Sequence, residues 1–394
     1  MTHIFSKIKA LAALVALFAF AGQYCRADST MTNDLPDSIF VGGQKQHVQG
    51  IALDREKGFM YMSFTSRFVK TDLKGNIIAS IDRIQGHLGA MTFNPKDRKV
   101  YASLECKDDE IGAGVAKTLD VAKIPKGGSS FYIAIIDVDK MNRIGIDPEK
   151  DEMFKTVLLK EPAADYNAEV EVDGLEMKHR YGCSGIDGVT IAPAICKGKK
   201  TGKEKLFLYV AYGIYGSLER NDDNYQIILR YGLESLEKYA KTITFGTIHE
   251  SGPDQPLDKY FIYTGNSTYG VQNMAYDPFT GNIFLAVYKG KKPAFPNYDL
   301  FAFSVNQKPF RQTLSGVPYS GKQLQLNLAD EGMEDRKTGV RGWHFKWGST
   351  GLCPISDGYW YISENARDSV KLQSCNARLY KWTGDASKPF KPAR

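Results

Sequence analysis

The sequence predicts an all-β protein: a β-propeller of four-stranded antiparallel blades, with five blades favoured and six as the alternative. Three observations predict it. Five segments share one pattern, a short apolar strand, a turn of Asp, Asn, Pro or Gly, and a second strand rich in aromatics. Each pair is followed by a third strand and a candidate fourth. Helical periodicity is scarce, confined to one turn near residues 233–239.

The first repeat runs through residues 47–54 and 58–63, the second through 87–94 and 99–103, and the third through 187–193 and 206–211. The fourth occupies 271–278 and 282–286, and the fifth 349–355 and 359–363. Third strands follow at 68–72, 131–137, 225–230, 299–303 and 377–382. Residues 72–78, with Gly75-Asn76 at the bend, read as the hairpin joining a third strand to a fourth. The equivalent aromatics Tyr61, Tyr101, Tyr209, Phe284 and Tyr361 are spaced by 40, 108, 75 and 77 residues. Only the first interval fits a compact blade of roughly 40 to 50 residues. The excess is insertion, or a degenerate sixth blade around residues 153–181. Closure is expected between the segment near residues 38–41 and the last blade near residues 379–382. A lone blade cannot bury both faces, so residues 28–394 are expected to form a single propeller domain.

The N-terminus reads as a secretory signal. Lys7 and Lys9 precede an apolar run over residues 10–21, and Cys25 and Ala27 supply small residues at the positions a signal peptidase reads. The run is too short for a spanning helix of roughly 20 residues. Residues 1–27 are therefore expected to be removed, giving a secreted or periplasmic protein with no membrane span. Removal takes away Lys7, Lys9 and Arg26, so the formal charge of +6 falls by three. No basic stripe remains for a nucleic acid, and the lysines between residues 197 and 203 read as a solvated hairpin tip. Five cysteines stay in the mature chain. Cys183 with Cys196 and Cys353 with Cys375 are the disulfide candidates, Cys106 is left over, and five buried thiols are the alternative.

The recurring pattern of apolar strand, Asp or Asn-Pro turn, aromatic second strand and Asp-x-x-x-Gly hairpin resembles the extracytoplasmic propellers that include the strictosidine-synthase-like and gluconolactonase-like proteins. The resemblance covers most of the mature chain and implies the fold. Propellers of that group hold a divalent cation at the mouth of the central channel with Glu, Asn and Asp side chains. No family motif transfers residue by residue, so activity stays open.

Antiparallel hairpins bring the start of each inner strand and the end of each second strand to one rim. On that rim the inner strands present His47, His87, Gly185, Gly270 and Ser349, and the second strands present Thr65, Glu105, Gly213, Tyr288 and Asn365. Asp187, Asn273 and Glu364 lie close in sequence. The same face receives the long connections 106–130, 212–224, 288–298 and 364–376, and long loops on a rigid scaffold carry function. His47, His87, Asn273 and Asn365 are the expected ligand-binding residues. Imidazoles at equivalent blade positions suit metal binding or proton transfer, and they equally suit backbone hydrogen bonds. Glu105, Asp187 and Glu364 are candidate oxygen ligands for Ca2+ or Mg2+. Two readings result: a propeller that binds a small or extended extracytoplasmic ligand on the long-loop face, with no cofactor, and a metal-dependent hydrolase of an ester, lactone or phosphoester. No Gly-x-Ser-x-Gly elbow, P-loop or dinucleotide fingerprint is present. His344 sits in an alternating aromatic stretch that reads as a packed strand, and Asn266-Ser-Thr is a glycosylation sequon in a eukaryotic secretory route.

Overall fold

In three of the five repeats the inner strand ends on a residue whose side chain builds its own turn. The Asp54 carboxylate accepts the Lys57 amide, the Asn94 side chain accepts that of Lys96, and Asp277 accepts those of Phe279 and Thr280. Side-chain acceptors of this kind replace the hydrogen bonds that a turning backbone loses. The computed structural model describes residues 34–121, 128–196, 198, 204–247 and 249–394. A short N-terminal unit ends at Asp37, and Ser38–Arg394 form the second unit, which is the propeller. The predicted signal over residues 1–27 and most of the lysine-rich tip at 197–203 lie outside the described residues.

Among the described residues there are five blades, which decides against six. Blade I consists of Gly50–Asp54, Phe59–Ser63, Phe68–Asp72 and Ile77–Ile81. Blade II consists of His87–Asn94, Lys99–Cys106, Ser130–Asp137 and Phe154–Leu158. Blade III, Cys183–Pro193, Leu206–Ile214, Tyr225–Gly232 and Asp258–Tyr263, is widened by Lys322–Leu326, which runs parallel to Asp258–Tyr263, and by Phe310–Thr313 outside it. Blade IV has three strands, Thr268–Asp277, Asn282–Tyr288 and Leu300–Ser304, and a single bridge from Leu300 to Trp343 stands where a fourth would be. The region 153–181 is no sixth blade: it holds the fourth strand of blade II, then an insertion made of a helix over Lys160–Asn167 and a small hairpin of Glu169–Val172 with Leu175–Lys178.

Blade V closes the ring with Leu352–Ser356, Tyr359–Arg367 and Gln373–Trp382, and the chain's first strand, Ser38–Gln44, pairs along its outer edge. The pairing is Ser38 with Arg378 and Val41 with Cys375; the expected partner stretch 379–382 is instead taken by Phe390–Pro392. Inner and second strands are buried on both faces because each blade lies between two others; in Lys99–Cys106 every residue but Lys99 is buried. Apolar layers fill the seams between successive blades, as Tyr61 and Phe68 meet Val100 and Tyr132 between blades I and II. The seam between blades IV and V holds Trp343, Trp360 and Trp382, with Trp347 packed against them.

All five described cysteines are free thiols, so neither expected disulfide exists. Cys183 begins an eleven-residue inner strand and Cys196 lies past its end, which separates them by about 30 Å at the strand rise. Cys353 pairs with Tyr361, whereas Cys375 stands on the next strand beyond, opposite Asn365. That offset exceeds the roughly 7 Å that a bridge permits between α-carbons. The sequon asparagine, Asn266, is buried and gives its amide to Asp223, so it is closed to glycosylation in the folded chain. His344 is exposed beside Asp299, just past the short strand Val340–Gly342.

Candidate functional site

Three inner strands carry a β-bulge at the same height, and the bulges aim the site. In blade III the register breaks between Ile186 and Gly188, leaving Asp187 as the extra residue. In blade IV it breaks between Val271 and Asn273, leaving Gln272. In blade II it breaks between Leu88 and Met91. A bulge turns the unpaired residue out of the ladder, and here it turns Asp187 and Gln272 into the mouth of the channel. His87 opens the inner strand of blade II, with Glu105 paired directly across from it.

These residues form the floor of a cavity of about 730 Å³ on the long-loop face, whose lining also includes His47, Lys107, Asp109, Tyr215, Tyr269 and Arg367. His87 Nδ1 stands 3.6 Å from Asp187 Oδ1, and Gln272 Nε2 donates to Asp187 Oδ2 at 3.4 Å. Glu105 Oε1 accepts the Ile186 amide at 2.5 Å. Lys107 Nζ lies 3.5 Å from Glu105 Oε2 and 3.3 Å from Asp109 Oδ2, and donates to the Ser184 carbonyl at 2.8 Å. Glycines make the room. A methyl group on Gly185, where φ is +133°, would stand 2.2 Å from Glu105 Oε1, and one on Gly89 would stand 3.0 Å from Asp187 Oδ1.

Burial sets the electrostatics of this floor. It pushes the Glu105 carboxyl up to about 7 against the pull of Lys107, and it holds Asp187 well above the usual carboxylate range with help from the Glu105 charge. Burial, aided by Lys107, drives His87 down to about 3. Lys107 is itself disfavoured as a cation by burial, but Glu105, Asp109 and Asp187 together outweigh that and hold it charged. The buried Nδ1 of His87 has no hydrogen-bond partner. His87, Glu105 and Asp187 each offer one ligand atom, and the three atoms lie within 4.8 Å of one another. An orphaned imidazole nitrogen beside the buried Glu105 and half-buried Asp187 carboxylates suits a divalent cation; the Lys107 ammonium competes for Glu105. The same trio can also receive a hydrogen-bond donor of a polar ligand.

Of the other expected residues, His47 reaches the cavity, whereas Asn273, Glu364 and Asn365 do not line it. His47 lines the cavity and its Nε2 meets Gln49 Nε2 at 2.9 Å, with its pKa lowered by burial and by Arg367. Asn273 is buried and ties blades together, donating through Nδ2 to the carbonyls of Gln49 at 2.8 Å and Ser349 at 3.1 Å. The bulge explains this correction, because it gives the cavity position to Gln272. Glu364 accepts from the Tyr380 hydroxyl at 2.6 Å and lies 3.5 Å from Arg378, away from the floor. Asn365 pairs with Cys375, since the presumed loop 364–376 is mostly a continuation of two paired strands. Sequence reasoning missed Lys107 and Asp109, which alternate with Glu105 as the chain leaves the strand, and that spacing was the available signal. It also missed the helix Glu110–Leu119, whose Ile111 and Val115 line the cavity.

No protein-family model and no curated protein matches the sequence. Among solved structures, the chain is similar to a GH43_1 enzyme from Xanthomonas citri complexed with xylose, at 10% identity over 89% of this chain and 93% of that one, with a TM-score of 0.39. It is similar to the Cps50 (Swd1) β-propeller domain of Myceliophteria thermophila, at 8% identity over 86% and 99% of the two chains, with a TM-score of 0.30. It is also similar to XC5397 from Xanthomonas campestris, a gluconolactonase, at 9% identity over 89% and 92%, with a TM-score of 0.28. Identities and scores this low carry nothing about chemistry. The five-blade ring itself establishes this chain as a β-propeller.

Proposed function

We propose that this chain is an exported ligand-binding propeller whose ligand enters by the long-loop mouth and rests on His87, Glu105 and Asp187. One observation carries the reading: a bulge turns Asp187 toward His87 and Glu105 in the floor of a cavity of about 730 Å³, a size typical of small-molecule sites. The raised carboxyls favour a ligand that presents a hydroxyl, amide or ammonium group to them. Tyr215, Tyr269 and Tyr288 offer apolar faces along the wall. Release of residues 1–27 on export is part of the reading, and N-terminal sequencing of the mature protein tests it. A thermal-shift screen of small polar compounds tests the binding itself. A compound that raises the melting temperature of the native protein and leaves Asp187→Asn unmoved supports the reading; stabilisation unaffected by that substitution refutes it.

The rival reading is a metal-dependent hydrolase, favoured by the convergence of the three ligand atoms within 4.8 Å. A bound divalent cation supplies Lewis acidity toward an ester, lactone or phosphoester. His87, Glu105 and Asp187 would hold it, and Lys107 would anchor Glu105 and Asp109 beside it. Ca2+ and Mg2+ suit the carboxylates, while the imidazole nitrogen extends the range to first-row transition ions. Elemental analysis of the purified protein separates the two readings: a stoichiometric metal, lost with hydrolytic activity in Glu105→Ala, establishes the hydrolase.

A further inference from the structure

The central channel is divided in two. At mid-height the inner strands touch through glycines: a methyl group on Gly50 would stand 2.9 Å from the Cα of Ala90, one on Gly188 2.7 Å from Val271, and one on Gly351 2.8 Å from Ile51. Asn273 adds a polar tie across the same level, joining blade IV to Gln49 and Ser349. Above this waist lies the polar mouth. Below it, at the tight-turn end, lies a second cavity of about 810 Å³ to which all five inner strands contribute.

The two cavities differ in the side chains that line them, the mouth holding more ionisable groups than the well. The wall of the lower one carries Leu53, Phe93, Ile191, Tyr276 and Ile355, one apolar side chain from each blade and each half-buried. The buried Cys353 lies among them. Its polar groups are already engaged: the Thr190 hydroxyl accepts the Tyr276 amide at 2.9 Å, Asp54 accepts from the Arg98 guanidinium, and Asn94 accepts the Lys96 amide. The rim residues Arg55, Glu56 and Lys96 supply the charge.

We propose that this lower well is a second, independent binding site that takes a compact apolar small molecule with at most one polar group, which would face the charged rim. Three features select that occupant. The waist closes the inner end, so an extended peptide cannot pass through. Apolar side chains stand on every side, so enclosing an apolar skeleton removes both its surface and theirs from water. The volume lies within the range of small-molecule sites.

Titration of the purified protein with the apolar fluorophore N-phenyl-1-naphthylamine tests the proposal. A saturable one-to-one enhancement is expected, weakened about tenfold or more in Ile191→Lys, which sets a charge in the wall. A wall variant on another blade, Ile355→Lys, gives an independent readout and is expected to weaken the enhancement about tenfold as well. Enhancement without saturation, or a saturable enhancement that neither Ile191→Lys nor Ile355→Lys weakens, overturns the proposal. So does a signal lost in Asp187→Asn and kept in Ile191→Lys, which places the probe in the mouth. A dimer that Ile191→Lys dissociates would put a second copy of the chain over the well, and would overturn it too.

Discussion

Gly185 shows how one missing side chain permits a site. Its φ of +133° and the 2.2 Å approach of Glu105 Oε1 to its Cβ position leave no alanine geometry without strain. Gly185→Ala is expected to destabilise the fold by about 1–3 kcal/mol and to displace Glu105, seen as a lower denaturation midpoint together with lost mouth-cavity binding. On the opposite face Arg98 binds Asp54 and Asp139, joining blades I and II. Hydrogen bonds from Arg98, then from Lys57, hold the Asp139 carboxyl down from its ordinary 3.8 to about 2. A carboxyl depressed on folding stabilises above its unfolded value and loses that contribution as pH falls through the folded one. Asp139→Asn should therefore melt below the native protein at pH 7, with the gap closing between about pH 4 and pH 2; a gap that persists at pH 2 would contradict this. His87 and Glu105 were legible as rim residues because the start of an inner strand and the end of its second strand meet on one rim; the bulge in blade II then sets the two directly opposite each other. Asn273, Glu364 and Asn365 were not: a bulge shifts the first by one position, and continued strand pairing holds the other two along the blade.

At the scale of elements, the helix Glu110–Leu119 is the main feature that periodicity did not announce. It contains Gly112 and Gly114, and each glycine costs a helix about 1 kcal/mol relative to alanine. Tertiary position explains both the helix and one of its glycines: a methyl group on Gly112 would stand 1.8 Å from the Lys107 carbonyl oxygen. The cap holds the start, with Asp109 Oδ1 accepting the amides of Ile111 at 3.0 Å and Gly112 at 3.1 Å. Asp109→Ala should cost the helix about 1 kcal/mol and speed amide exchange across residues 110–119, with little change in the global melting temperature. Hydrogen exchange read by mass spectrometry checks it. The second missed helix, Lys160–Asn167, has Pro162 in its first turn, a position where the absent amide is unneeded. The strands were easier to read because their burial on both faces leaves continuous apolar runs bounded by Asp and Gly turns.

For the whole molecule, the ring depends on one joint made by residues far apart in the chain. Ser38–Gln44 pairs with Gln373–Arg378, so blade V has an unpaired outer edge until both are present. Deleting residues 1–44 should abolish cooperative unfolding by circular dichroism, and a synthetic peptide covering residues 36–46 should restore it; a truncated chain that melts as one sharp transition would contradict this. The blade count was readable from five repeated hairpins. The size of each insertion was not, because residues 306–328 return to widen blade III instead of completing blade IV. One further property follows from where the indoles lie. All four tryptophans of the chain belong to the seam between blades IV and V. Intrinsic tryptophan emission is therefore a local gauge. It is blind to blades I to III, and a spectral red shift on heating or truncation times the parting of the last seam, while circular dichroism follows the other blades.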